Sequence, residues 1–353
     1  MSNEPVREPP PGEISNLTNP YSSQPQRIVV ASVFLFLTIS SVIGRVYTRV
    51  VMKSFDLDDW VLIFSEACFV TFTVLLIVAG EYGDGTHLWN VTLADYSRDL
   101  FMQNVVEVFV CLASITVKYV ILNQIRTIFF YSNRNTLTSK FITALIWFNL
   151  LFFTALGISF IFSCIPREKI WNPNIEGRCI NIPVILIIGT SVNLISDTTI
   201  LMTPIVAVSR LQMPTKKKIR VIIAFGIGIF ALIAASMRLY YSLRLFHTED
   251  NTWDISPIGQ WIIAEHAVGY IIAFCPYLPR FFENILVYVR KGVLFYPSSH
   301  GPSSVPLEHL ERIQVDRTWA VSIGRENSEE TSSRDITLLE YPHGGDLAHQ
   351  RQL

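Results

Sequence analysis

The amino-acid sequence predicts an all-α fold: a polytopic membrane bundle of seven transmembrane helices, with the N-terminus outside and the C-terminus cytoplasmic. Half of the residues are hydrophobic and only 16% are charged, and the charges are concentrated between long apolar stretches. A helix needs ~20 apolar residues to cross a bilayer. A soluble core helix is rarely apolar on every face over such a length, so the stretches are expected to lie in lipid. The seven predicted spans are residues 28–46, 60–80, 100–122, 141–163, 183–208, 219–243 and 258–280.

The spans and the segments around them predict three regions. The first span is short and begins directly after Arg27, while Pro204 in the fifth span and Pro276 and Pro279 in the seventh are expected to bend their helices. Residues 1–27 are rich in proline and have no apolar core, so they are predicted to be a disordered extracellular tail. Residues 28–288 are the transmembrane domain. Residues 289–353 are rich in polar residues and are predicted to be a mostly disordered cytoplasmic tail.

The distribution of basic residues predicts the orientation. Fourteen lysines and arginines flank the spans on one side of the predicted membrane and seven on the other. Because cytoplasmic loops carry the excess of basic residues, the N-terminus is expected outside. The two glycosylation sequons, at Asn16 and Asn90, then both lie outside. A multi-pass protein of the plasma membrane is the default expectation, with the lipid bilayer as its first partner.

The five cysteines divide into two groups. Cys68, Cys111 and Cys275 lie within spans and are expected to be small core residues. Cys164 and Cys179 lie in one outer loop, which is an oxidising location, so a disulfide between them is predicted. Two free thiols are the alternative. The bridge would fold the segment between them into a compact lid.

Three charged residues are predicted to lie at one depth near the outer side. Glu107, Arg238 and Glu265 are each five to seven residues from the outer end of a span, which corresponds to roughly 8–11 Å. Charges in hydrocarbon usually face the bundle interior. We therefore hypothesise that Arg238 bridges Glu107 and Glu265 at the floor of an outward-facing ligand pocket, with His266 nearby. The alternative is a purely structural ion-pair network.

A second polar layer is predicted deeper in the membrane, where Glu66, Lys118, Asn193 and Asp197 lie. Lys118 is a candidate partner for Glu66, which would hold two helices together. Asp197 needs a hydrogen-bonding partner, and it could also belong to a polar pathway.

At the start of the second helix, Asp58 and Asp59 are expected to cap free N–H groups and to pair with Arg45 or Arg49.

A set of short motifs occurs in a fixed order along the spans and loops. They are Arg45 to Arg49 followed by Leu57-Asp58-Asp59-Trp60, Tyr82-Gly83-Asp84-Gly85-Thr86-His87-Leu88-Trp89, Lys118, Cys164-Ile165-Pro166 with Trp171 and Cys179, Asn193 with Asp197 and Pro204, Leu211-Gln212-Met213, Gly226, Gly228, Arg238, Glu265 and Pro276. In this order, over roughly residues 28–285, the chain resembles the fungal rhodopsin-domain integral membrane proteins. The resemblance implies a seven-helix, receptor-like protein. The family also includes members encoded in toxin and other secondary-metabolite clusters.

The sequence gives little support for enzymatic or cofactor chemistry. The last span has no lysine for a retinal Schiff base, and there is no Walker loop, Gly-x-Ser-x-Gly or Cys-x-x-Cys motif. No catalytic residue, cofactor, metal site or nucleic-acid partner is predicted. We expect receptor-like binding of a small apolar or amphipathic molecule from the outer face, with a cytoplasmic signalling partner left open. A membrane-embedded enzyme resembling the terpene cyclases of fungi, or a transporter, is the alternative, linked to secondary metabolism.

Overall fold

The predicted all-α membrane bundle is confirmed by the computed structural model. The structure describes residues 4–130, 136–172, 175–209 and 215–294, with side chains described for 4–128, 136–172, 175–205 and 225–287. The helices in these ranges are α1 (Gln24–Val51), α2 (Leu57–Glu81), α3 (Leu93–Phe130), α4 (Leu137–Ile161), α5 (Ile182–Ser209), α6 (Thr215–His247), α7 (Asn251–Phe274) and α8 (Leu278–Leu294). Two short strands, β1 (Cys164–Ile165) and β2 (Arg178–Cys179), pair antiparallel between α4 and α5.

Helices α1 to α6 are each long and apolar enough to cross a membrane, and α7 with α8 forms a seventh candidate span bent by 62°. The predicted seventh span, 258–280, is therefore broken rather than continuous. Pro276 lies at the break and has no backbone N–H, so it cannot continue the helical hydrogen bonds. The chain instead makes tight turns there, with the Tyr277 N–H donating to the Phe274 carbonyl at 2.9 Å.

The helices pack as a ring in chain order, which closes where α1 contacts α7, and α3 also contacts both α5 and α7. The best-buried apolar side chains lie between α2, α3 and α7. Phe69 and Phe72 of α2 are fully buried and in edge-to-face contact, and Val106 of α3 and Ile263 of α7 are at most 1% exposed. This packing brings the polar residues of α3 and α7 towards the bundle interior.

The two ends of the bundle carry different residues. We call the end with the Cys164–Cys179 disulfide the disulfide end, and the end with the Arg45, Arg49 and Asp59 cluster the basic end. At the disulfide end, the predicted N-terminal tail lies against the loop between α2 and α3. The Ser23 N–H donates to the Gly85 carbonyl at 2.9 Å, and the Val6 N–H donates to Val91 at 3.1 Å. This segment and the loop together cover the helix ends.

Arg27 anchors the disulfide end from inside the protein. Its guanidinium is fully buried and donates two hydrogen bonds to the Asp84 carboxylate, at 2.7 and 2.6 Å. It also donates to the Leu76 carbonyl and to the Ser256 hydroxyl. One side chain of α1 thus holds α2, the following loop and α7 together, because a bidentate arginine–carboxylate pair fixes geometry as well as charge.

A second arginine cluster joins the helices at the basic end. Asp59 accepts from Arg45 Nε at 3.1 Å, from Arg49 Nε at 2.9 Å and from the Asp56 N–H that precedes α2. The predicted capping and pairing by this acid are therefore present. Arg45 also donates to Gln124 of α3 and to the Ala273 carbonyl, one of the carbonyls left without a helical partner at the end of α7.

The chain divides into two units, Met1–Gly292 and Val293–Leu353. Most of the second unit, from residue 295 onward, lies outside the described residues. The predicted disordered cytoplasmic tail therefore stays a prediction.

The buried Arg27–Asp84 pair predicts a large and specific loss of stability. Replacing Arg27→Ala leaves the Asp84 charge buried without its partner, which is expected to cost about 3–5 kcal/mol of unfolding free energy. The matched control is Arg7→Ala. Arg7 pairs with Glu249 with both side chains exposed, and such pairs contribute ~0–1 kcal/mol.

Thermal unfolding of the purified variants in one detergent would measure both effects. The double variant Arg27→Ala/Asp84→Ala should recover part of the loss, because it removes the unpaired charge. Equal melting temperatures for Arg27→Ala and Arg7→Ala would contradict the anchoring role.

Candidate functional site

A layer of paired charges crosses the middle of the bundle. Lys118 of α3 donates to Asp197 of α5 through Nζ and Oδ1, at 2.6 Å. One turn before this acid, Asn193 donates to Asp197 Oδ2 at 3.0 Å and to Glu265 Oε1 of α7 at 2.8 Å. The lysine is 4% exposed. The layer therefore gives each of the two carboxylates at least one hydrogen-bond donor from another helix or another turn.

Arg238 of α6 completes the layer from the other side. Its Nε lies 3.5 Å from Glu265 Oε2, which forms an ion pair but not a hydrogen bond. Glu107 was also expected to form an ion pair with Arg238. Among the described residues, however, Arg238 forms an ion pair with Glu265 and not with Glu107. Of the two predicted contacts of Arg238, the one with Glu265 is therefore present and the one with Glu107 is not. Glu107 and Arg238 instead line a separate void of about 20 Å³ towards the disulfide end.

His266 lies next to Glu265 and is held in a defined tautomer. Its Nδ1 is 2.9 Å from the Ile262 carbonyl, which can only accept, so Nδ1 carries the proton. Its Nε2 is 3.0 Å from the Ser114 hydroxyl of α3. In the neutral imidazole with its proton on Nδ1, Nε2 is an acceptor, and the Ser114 hydroxyl donates to it.

The predicted pairing of Lys118 with Glu66 is wrong. Glu66 of α2 faces α1, where Thr38 donates to Glu66 Oε1 at 2.8 Å, whereas Lys118 faces α5. Counting residues along a span gives the depth of a side chain but not the direction in which it points around the helix. Asp197, which was predicted to need a partner, is the residue that takes the lysine.

A cavity of about 370 Å³ lies on the basic-end side of this layer and is lined by α3, α5, α6 and α7, with the turn after α7 and Arg280 of α8 at its far end. Its polar end is formed by Ser114, Lys118, Asp197, Glu265 and His266. The walls beyond it are mainly apolar and include Val117, Ile121, Ile200, Leu201 and Ile272. Pockets with apolar walls and a few converging polar groups are typical of small-molecule sites.

This cavity lies on the side of the charged layer opposite to the Cys164–Cys179 loop, whereas the sequence-based hypothesis placed the pocket on the side of that loop. Among the described residues, the larger cavity lies towards the basic end, and the void of about 20 Å³ lies on the disulfide side of the layer. Gly228, Gly269, Pro204 and Pro276 are in the lining of the larger cavity, and Pro276 lies at the break between α7 and α8. Towards the disulfide end, Val110, Ile258 and Ile262 are instead packed in the core.

Two contributors were missed by the reasoning from sequence. Ser114 is a small polar residue in an apolar span, a signal too common to select it. Asn149 of α4 accepts from the Ser196 hydroxyl at 2.6 Å and so ties α4 to α5 beside the charged layer. Its polarity within a predicted span was the available signal.

The loops at the disulfide end contain the predicted disulfide and both sequons. Cys164 and Cys179 form the predicted disulfide, and Trp171 between them packs edge-to-face on Phe101 of α3. The sequon residues Asn16 and Asn90 lie next to each other, with the Asn16 N–H donating to Asn90 Oδ1 at 2.8 Å. Among the described residues, no group of three or more metal-ligating side chains converges.

The sequence matches the fungal rhodopsin domain over residues 44–284, which is more than half of the chain and contains the charged layer and the cavity. The chain belongs to the fungal rhodopsin domain family. The resemblance inferred from the ordered motifs is thereby confirmed, as is a multi-pass membrane protein.

Two relatives show how far the similarity extends. A SAT4 family membrane protein of Emericella nidulans is 35% identical over 215 residues, which are 61% of this chain and 54% of that protein. The fugralins biosynthesis cluster protein 2 of Gibberella zeae is 24% identical over 295 residues, which are 79% of this chain and 71% of that protein. The matched region therefore spans about half the length of the first relative.

Proposed function

We propose that this protein binds a small apolar or amphipathic molecule in the cavity between α3, α5, α6 and α7 and acts as a receptor-like membrane protein. One observation carries the proposal: the cavity combines a polar end, where Lys118, Asp197 and Glu265 meet, with apolar walls. Its volume of about 370 Å³ lies within the range of small-molecule sites. Binding there would act on four helices at once.

The proposal differs from the expectation from sequence in where the molecule binds. At the disulfide end, the N-terminal segment and the first loop cover the bundle, and His87 is stacked between Trp89 and Trp253 with ring centroids 4.4 and 4.3 Å away. Entry from that face would require these groups to move. We therefore propose that the molecule does not enter the cavity from the disulfide end.

A membrane-embedded enzyme or transporter linked to secondary metabolism is the second candidate. The name of the Gibberella zeae relative, a biosynthesis cluster protein, favours such a link. Asp197 and Glu265 line the cavity and supply the carboxyl groups that acid catalysis on an apolar substrate would need. Chemical turnover distinguishes an enzyme from a receptor, and net movement of an unchanged molecule distinguishes a transporter.

We further propose that the disulfide end faces the outside of the plasma membrane and that a signalling partner binds at the basic end. The two-to-one excess of basic residues on the predicted inner side supports this orientation. The disulfide fits an oxidising compartment at the opposite end. The side chains of the basic run at residues 216–218, a candidate contact for such a partner, lie outside the described residues.

Filling the cavity is expected to abolish binding. Ala231 of α6 lines the cavity, so Ala231→Phe would place an aromatic ring in it. Ile233, two residues further on, is 51% exposed on the outer surface of the same helix, so Ile233→Phe is the matched control. We expect native mass spectrometry, after incubation with a lipid and terpenoid extract of fungal mycelium, to detect a retained small molecule of unchanged mass. Retention should fall at least roughly tenfold, about 1.4 kcal/mol, in Ala231→Phe and remain in Ile233→Phe.

The same incubation tests the second candidate. A new product mass that disappears in Glu265→Gln would make the protein an enzyme. Retention that is equal in Ala231→Phe and the wild type would contradict binding in this cavity.

Glycosylation tests the orientation. Expressed in a eukaryotic host, the protein is expected to lose mass on treatment with an N-glycosidase, and Asn16→Gln should remove most of that change because Asn16 is exposed. Asn90→Gln is the companion variant, since Asn90 is partly buried against the N-terminal segment. A single sequon engineered into the loop between α3 and α4 should stay unmodified. Modification of that loop, with Asn16 unmodified, would reverse the orientation.

A further inference from the structure

The polar end of the cavity restricts the chemistry of a molecule that binds there. We propose that the ligand is an electrically neutral molecule with a hydroxyl group at one end of an apolar body, and that Ser114, Lys118 and Glu265 hold the hydroxyl. This inference rests on the proposed binding function and deepens it by naming the ligand class.

Charge balance argues for a neutral ligand. Lys118 is paired with Asp197, and Arg238 is paired with Glu265, so each cation of the layer already faces one acid. Glu107 faces the separate void on the other side of the layer. An ionic head group would add an uncompensated charge to a site of low polarity, which costs several kcal/mol.

The unused hydrogen-bonding capacity argues for a hydroxyl group. An ammonium group has three N–H donors, and among the described residues Lys118 gives one hydrogen bond, to Asp197. The Ser114 hydroxyl uses its proton on His266, so its oxygen retains lone pairs that can accept. Glu265 Oε2 is buried and, among the described residues, accepts no hydrogen bond.

A hydroxyl group matches this set because it both accepts and donates. Its oxygen can accept from Lys118, and its proton can go to Glu265 or to Ser114. A ketone or ether offers only an acceptor, and a hydrocarbon offers neither. All three protein groups are at least nine-tenths buried, since Ser114, Lys118 and Glu265 are 2%, 4% and 7% exposed. Hydrogen bonds to buried charged groups are stronger than those between neutral groups.

The walls indicate an elongated apolar body. The lining residues of α3 run from Ser114 to Ile128, ~21 Å along the helix axis. Between these ends the side chains on α3 and α7 are mainly apolar, including Val117, Ile121 and Ile272. Arg280 lies at the far end of this lining and is exposed, with one donor close to Met52 Sδ. Among the described lining residues it is the one cation outside the charged layer and could hold a carboxylate, and the test includes an acid for that reason.

Four photoreactive probes with the same diazirine-bearing dodecyl chain test the inference: an alcohol, a carboxylate, an ammonium and the plain hydrocarbon. The full-length protein is placed in phosphatidylcholine nanodiscs, and labelling of cavity peptides is measured by mass spectrometry. Labelling of lipid-facing peptides of α4 around Trp147, which is 57% exposed, corrects for partitioning into the bilayer. The alcohol is expected to label the cavity roughly tenfold more than each other probe, because hydrogen bonds to charged groups contribute that much.

Two variants test the named residues. Ser114→Ala should reduce labelling by the alcohol severalfold, while Ser236→Ala, at an exposed hydroxyl on α6, should not. Lys118→Met alone would leave Asp197 unpaired and could fail to fold. The double variant Lys118→Met/Asp197→Leu removes both charges and should lower labelling by the alcohol to that by the hydrocarbon.

The outcomes separate the two proposals. Cavity labelling by the carboxylate or the ammonium at the level of the alcohol overturns the ligand class. Binding in the cavity would then still stand if Ala231→Phe blocks that labelling. If no probe labels the cavity in a way that Ala231→Phe blocks, the proposed binding function fails, and the ligand class with it.

Discussion

The pairing of charges inside the membrane is the constraint on which the rest of the structure depends. A lone ion in hydrocarbon is costly, so each buried charge fixes where its partner must be. Lys118 and Asp197 meet at 2.6 Å, and Asn193 links that acid to Glu265, so one chain of contacts ties α3, α5 and α7 together. Arg238 adds α6. The cavity lies beside this chain and takes its polar end from it.

Buried arginines apply the same constraint at both ends of the bundle. Arg27 joins α1 to Asp84 and α7, and Arg45 joins α1 to Asp59, Gln124 and the end of α7. Because the ring of helices closes where α1 contacts α7, these contacts hold the first and last helices of the ring together. The cavity of about 370 Å³ lies between α3, α5, α6 and α7, and its polar end is part of the charged layer. The ion pairs that hold the helices together and the polar end of the cavity thus belong to one arrangement of polar groups.

Much of the fold was predictable because lipid imposes a simple length rule. The seven spans follow from apolar length, and Asp59 was identified as a capping and pairing residue because it precedes a helix next to Arg45. The polar layers were predicted by depth alone, which cannot give the direction of a side chain around its helix. For that reason Lys118 was assigned to Glu66 instead of Asp197. The cavity itself depends on how α3, α5, α6 and α7 pack against one another, which a count of residues along the chain does not reveal.

A charge-exchange experiment on Lys118 and Asp197 tests the central claim most directly. Lys118→Asp and Asp197→Lys would be made singly and together, and their thermal unfolding compared in the same detergent. Each single change places two like charges together in the membrane and is expected to prevent folding or to lower the melting temperature strongly. The double exchange restores one cation and one anion and should recover most of the loss. Single variants as stable as the wild type, or a double variant no better than the singles, would contradict the account.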